Sequence, residues 1–124
     1  MITEKIKIVV VDDVPDVADT LAMQLELAGF LVVTAYSAER AIIAIEEHQP
    51  ACVLFDIDMP DIDGYELAEL LHHGFKRDIV LIAITGSDKA KMQAAKKSSL
   101  VDHYFLKPVD VCVLSDIIRD HLKT

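Results

Sequence analysis

Short apolar runs of strand length alternate along this chain with segments whose apolar residues recur at helical spacing, and that alternation leaves few folds open. Lys5 to Val11 is rich in β-branched residues and nearly continuous in apolar character toward its end, as in a parallel strand covered on both faces. It stops at Asp12-Asp13. A helix is expected from near Pro15, with Val17, Leu21 and Leu25 on one stripe, until Gly29 ends it. Leu31 to Ala35 reads as a second strand. Ser37 is placed as an N-cap, and Ala38, Ala41, Ile42 and Ile45 form the stripe of a second helix that ends before Pro50. Ala51 to Asp56 is a third strand, closed off at once by Pro60 and Gly64. Leu67, Leu70 and Leu71 mark a third helix stopped by Gly74, and Ile79 to Ile84 is a fourth strand running into Thr85-Gly86-Ser87. From Asp88 to Ser99 helix formers dominate, but only Met92 and alanines are there to bury, so this is the least anchored helix. Tyr104 to Leu106 is a short fifth strand ending at Lys107-Pro108, and Leu114, Ile117, Ile118 and His121 give a closing helix.

Five strands alternating with five helices imply a doubly wound α/β fold with an all-parallel sheet, because each crossover holds a helix and right-handed crossovers cover both faces. The order 2-1-3-4-5 used by flavodoxin-like folds sets strands one and three side by side. In such sheets, ligands bind beyond the carboxyl ends of the strands. Asp12 and Asp13, Asp56, Thr85 and Lys107 all terminate strands and therefore converge on one edge.

A length of 124 residues fits one domain, expected to run from 1 to 124, with 52% hydrophobic residues as core material. Lys and Arg total 12 against 21 acids, a formal charge of -9, which argues against nucleic acid and against an anionic membrane surface. No apolar run reaches bilayer length, and the amino terminus lacks a signal-peptide layout, so a cytoplasmic protein is expected. Cys52 and Cys112 are too few and too far apart in sequence for a disulfide framework or a metal knuckle. His72 and His73 point to different faces of a helix, and His48, His103 and His121 read as isolated, solvated residues.

Three carboxylates within a few ångströms must share protons or hold a cation. Hard oxygen ligands with positions left for water suit Mg²⁺. An ammonium and a hydroxyl at the same edge can neutralise phosphoryl oxygens while a carboxylate attacks in line, so Asp56 is the candidate site of an aspartyl phosphate.

Asp12-Asp13 after strand one, Asp56-x-x-Met59-Pro60-x-x-Asp63-Gly64, Thr85-Gly86 after strand four and Tyr104-x-x-Lys107-Pro108 occur in the order and spacing of a known family. Over essentially its whole length the chain resembles a receiver domain of a two-component response regulator. The resemblance implies that Asp56 is the phosphoacceptor and that Asp13, Asp56 and the backbone carbonyl of Asp58 ligate Mg²⁺, with Asp12 acting through water. It implies that Lys107 pairs with the phosphoryl group, that Thr85 hydrogen-bonds it, and that Gly86 leaves it room. In that family the bond before the proline matching Pro108 is often cis. Thr85 and Tyr104 match a switch pair: Thr85 moves toward the phosphoryl group, the Tyr104 ring follows, and the surface of the fourth helix, fifth strand and fifth helix changes affinity for a downstream protein. The implied donor is a sensor histidine kinase or a histidine phosphotransfer protein. No output domain is expected after the closing helix, as in a free-standing receiver or one cut from a longer protein such as a hybrid histidine kinase.

Two positions depart from the pattern. Leu100 stands where the family commonly has glycine, which implies a different turn or roughly 1 kcal/mol of strain. Asp58 adds a carboxylate two residues past the acceptor and is expected to tune the lifetime of the phosphoryl state. Lys89, Lys91, Lys96 and Lys97 would suit an acidic partner, or simply form a solvated face. Two rival functions carry weight. Asp56-Ile-Asp58 also resembles the Asp-x-Asp of haloacid-dehalogenase-type phosphatases, although there the motif follows the first strand. The other rival is a receiver-like interaction module that is never phosphorylated.

Overall fold

Strand residues that alternate between two apolar clusters show how the sheet is covered. Val9, Val11, Val53, Phe55, Leu81 and Ala83 pack into one cluster with Ala38, Ala41, Ala44 and Ile45. Their neighbours Ile8, Val10, Cys52, Leu54, Ile82 and Ile84 pack into the other with Ala18, Leu25, Leu114 and Ile118. Successive side chains of a strand point to opposite faces, so a run that is apolar throughout is a strand buried on both sides. The computed structural model describes residues 5–57, 79–86 and 101–122 together with Met59, Glu66, Glu69 and Leu71.

The strands are β1 (Lys7–Val11), β2 (Leu31–Ala35), β3 (Cys52–Asp56), β4 (Val80–Thr85) and β5 (His103–Leu106). They form one sheet in the order β2-β1-β3-β4-β5, with every pairing parallel. This is the expected doubly wound topology. Three helices have described spans: α1 (Pro15–Leu27), α2 (Ala38–His48) and α3 (Val111–Leu122). The α2 stripe belongs to one cluster and the α1 and α3 stripes to the other, so helices lie on both faces. Of the expected third helix, Glu66, Glu69 and Leu71 are helical and Leu71 is buried. The expected fourth helix, its four lysines and Leu100 lie outside the described residues. Among the described residues no helix is long and apolar enough to cross a membrane.

Local chemistry sets the helix ends. Ser37 Oγ accepts the Arg40 N–H at 3.1 Å, the expected N-cap of α2. Asp110 Oδ1 does the same for α3, accepting from the N–H groups of Cys112 and Val113, a cap that the apolar stripe did not reveal. At the end of α1, Gly29 has φ +104°, its N–H donates to the Glu26 carbonyl, and the Phe30 N–H donates to the Leu25 carbonyl. That double closure needs a left-handed residue, which glycine supplies without a Cβ penalty. The Arg119 guanidinium of α3 donates to the Ala28 carbonyl at 2.7 Å and lies 4.5 Å from the centroid of the Phe30 ring. One cation thus satisfies an orphan carbonyl, complements the negative end of α1 and covers an aromatic face.

Four expectations are corrected. In α2 the buried stripe includes Ala44, while Ile42 is only half-buried. In α1 the buried stripe is Ala18, Ala22 and Leu25, while Val17 is exposed and Leu21 half-buried. The stripe is turned by one residue because two alanines let the helix lie close to the sheet, leaving bulkier neighbours at its flanks. In α3 the buried set is Leu114, Ser115 and Ile118, with His121 exposed. His103 and His121 are not isolated: Nε2 of the first lies 3.1 Å from Nδ1 of the second, with the rings edge-to-face.

Two predictions follow from this packing. Arg119→Met removes the tie between α3 and the end of α1 and is expected to cost about 1 kcal/mol, read as a lower urea midpoint with an unchanged slope. Cys52 is fully buried, and burial together with the nearby Asp102 carboxylate raises its thiol pKa well above the ordinary value, whereas Cys112 is exposed. Iodoacetamide on the folded protein is therefore expected to modify Cys112 alone, and Cys52 only after denaturant is added, as peptide mapping would show.

Candidate functional site

The parallel register carries the polar strand ends to one edge. Val11 pairs with Phe55, and Asp56 with Ile84, so Asp12, Asp56 and Thr85 follow one another across β1, β3 and β4. Backbone hydrogen bonds continue past the ladders. The Asp12 N–H donates to the Ala35 carbonyl, the Ile57 N–H to that of Ile84, and the Lys107 N–H to that of Thr85 at 2.8 Å. Each chain is therefore held in extended register until after its functional residue has been placed.

Carboxylate oxygens of Asp12, Asp13 and Asp56 lie within 4.8 Å of one another. Asp12 and Asp56 are buried and Asp13 half-buried. Lys107 Nζ is 3.1 Å from Asp12 Oδ2 and 3.1 Å from Asp56 Oδ2. Burial alone would lower the lysine pKa, but its hydrogen bonds to Asp12 and Asp56 and their charges outweigh that and raise it above 10.5. Lys107 is thus firmly an ammonium at neutral pH, and it offsets part of the repulsion among the acids.

Asp12 divides its two oxygens. Oδ2 faces Lys107, while Oδ1 accepts the Val14 N–H at 3.0 Å and shapes the turn into α1. The N-cap residue of α1 is Val14, which has no side-chain cap, so Asp12 shapes the turn before the helix and does not cap it. Asp12, Lys107 and Pro108 also line an open groove of about 660 Å³ with Val17, Leu21 and Val109. The Lys107–Pro108 bond is cis.

Thr85 is fully buried at the end of β4. Tyr104 is half-buried against the α2-side cluster and pairs with Ala83, so Thr85, two residues on, is its diagonal neighbour on the same face. A Cβ built on Gly86 meets no described atom within 4 Å, so packing among those residues does not require glycine there. Asp58 lies outside the described residues. Among the described residues the donor set is three carboxylates with no sulfur or nitrogen ligand, which fits a hard divalent cation such as Mg²⁺.

Residues 8–119 match the family model described as the response regulator receiver domain. Among curated proteins, an uncharacterized 14.6 kDa protein of Leptolyngbya boryana is 32% identical over 92% of this chain and 88% of its own length. A probable transcriptional regulator, ycf27, of Porphyra purpurea is 30% identical over 99% of this chain, which spans 50% of that protein. Among solved structures, a CheY-like response regulator receiver domain of Methanospirillum hungatei superposes with a TM-score of 0.83 at 29% identity, covering 96% of this chain and 94% of that one. A signal receiver domain of Bermanella marisrubri superposes with a TM-score of 0.82 at 30% identity, covering 94% and 98%. The phosphatase alternative is not favoured by these likenesses. With its parallel sheet in the order β2-β1-β3-β4-β5 and its acids and lysine gathered at the carboxyl edge, the chain belongs to the response regulator receiver domains, the phosphoacceptor switches of two-component signalling.

Proposed function

We propose that this domain accepts a phosphoryl group on Asp56 from a phosphohistidine donor, either a sensor histidine kinase or a histidine phosphotransfer protein. The observation that carries this reading is the double contact of Lys107 Nζ, at 3.1 Å from both Asp12 and Asp56, in a cluster of three carboxylates. An Asp56 oxygen attacks phosphorus in line, a P–O bond forms as the donor's P–N bond breaks, and the imidazole leaves with the electron pair. Asp12, Asp13, Asp56 and the backbone carbonyl of Asp58 are the residues that would hold Mg²⁺. When bound, the ion supplies charge neutralisation for the phosphoryl oxygens. Lys107 is placed to exchange a carboxylate partner for a phosphoryl oxygen, because it already pairs with the acceptor.

The switch reading places Thr85 and Tyr104 in sequence. A threonine hydroxyl drawn toward a phosphoryl oxygen vacates space on the face it shares with Tyr104, and the ring can move inward from its half-buried position. The surface that changes would be β5, α3 and the segment expected as the fourth helix, where a downstream protein binds. The reading extends to a cytoplasmic domain, in line with the lack of a bilayer-length apolar run in its sequence.

Intact-mass measurement after incubation with a small acyl-phosphate donor tests the acceptor. One phosphoryl adduct is expected with Mg²⁺, and none without it or in Asp56→Asn. An adduct that persists in Asp56→Asn overturns the assignment. Lys107→Met is expected to slow phosphorylation while tightening Mg²⁺ binding by about tenfold, on the order of 1.4 kcal/mol, because a competing positive charge has been removed. Calorimetric titration reads this directly, and unchanged affinity would show that the ammonium does not compete.

A further inference from the structure

The contact between His103 and His121 lies at the opposite edge of the sheet from the carboxylates. His103 opens β5, and His121 is in the last turn of α3, which runs back along the sheet. His103 Nε2 and His121 Nδ1 are 3.1 Å apart, with ring centroids at 5.3 Å and planes at 83°. His121 is exposed and His103 half-buried, so solvent reaches the pair. The backbones beneath are firmly held. β5 is laddered to β4, with Ile82 opposite His103, and α3 is anchored by fully buried Leu114 and Ile118.

We propose that His103 and His121 form a bidentate site for a late first-row divalent cation, for which Zn²⁺ is the probe. Two metal–nitrogen bonds of about 2.0–2.1 Å place their nitrogens about 2.9 Å apart at a right angle and about 3.3 Å apart at the tetrahedral angle. The observed 3.1 Å falls between these values. Imidazole nitrogen prefers Zn²⁺, Ni²⁺ and Cu²⁺ to Mg²⁺, so this site and the all-oxygen carboxylate cluster select different ions.

The proton balance is closed. In the hydrogen-bonded pair, one facing nitrogen carries a proton and the other a lone pair. The donor ring moves that proton to its outward nitrogen, which frees a second lone pair without net proton release, and small turns of both rings aim the two at one point. Water fills the remaining positions. Because the ligands sit on a strand and a helix separated in sequence, the bound cation cross-links β5 to α3 and stabilises only the folded chain.

Zn²⁺ titration of the full chain in excess Mg²⁺, added to compete for the carboxylates, tests the site. One equivalent is expected to bind, the ring nitrogens of His103 and His121 are expected to shift together in long-range ¹H–¹⁵N spectra, and the melting temperature should rise. His103→Gln and His121→Gln should each weaken binding at least tenfold, with His48→Gln as an unaffected control. Ring nitrogens that do not shift in the unsubstituted protein, or an affinity that neither substitution lowers, overturn the proposal. The spectra need no substitution, so the test stands even if a variant folds poorly.

Discussion

Mutual repulsion among Asp12, Asp13 and Asp56 is the constraint around which this domain is built. Their oxygens lie within 4.8 Å, a separation at which like charges destabilise one another unless something positive stands between them. Lys107 stands there, bonded to two of the three. The backbone hydrogen bond from Lys107 to Thr85 makes the position of that ammonium a property of the β4–β5 ladder. The charge at the acids therefore bears directly on a residue just past the end of β5.

The sheet confines this chemistry to its edge. Both faces of the central strands are filled by side chains such as Phe55 on one side and Leu54 on the other, and the interiors of β1, β3 and β4 carry no polar side chain. The tie from Arg119 to the end of α1 serves the same economy at the periphery, joining the helices that share one face. Of the polar residues buried among those described, Asp12, Asp56 and Thr85 stand at or just past strand ends, and Ser115 lies within α3.

Much of this was legible in the sequence because strand ends announce themselves. An apolar run broken by Asp12-Asp13, or by Asp56 with Pro60 close behind, identifies both the element and the edge on which its last side chain lies. Helix faces were less legible. Val17 and Ala18 fit a helical period equally well, and close packing on the sheet decides for the smaller residue. The contact of His103 with His121 spans 18 positions and depends on where α3 ends relative to β5, a tertiary relation with no local signature. The Asp110 cap was visible in principle, as an acid just before an apolar period, but the stripe drew attention to Leu114 instead.

Asp12 serves two masters with its two oxygens, one holding the turn into α1 and the other facing Lys107. Position 12 therefore has a narrower chemical tolerance than either duty alone would impose. Asparagine retains an oxygen for the turn but surrenders the charge. Glutamate retains the charge on a longer stem that no longer suits so short a turn. Asp13, which has no described turn contact, is free of that double obligation, and substitutions at the two neighbouring acids should not be treated as equivalent.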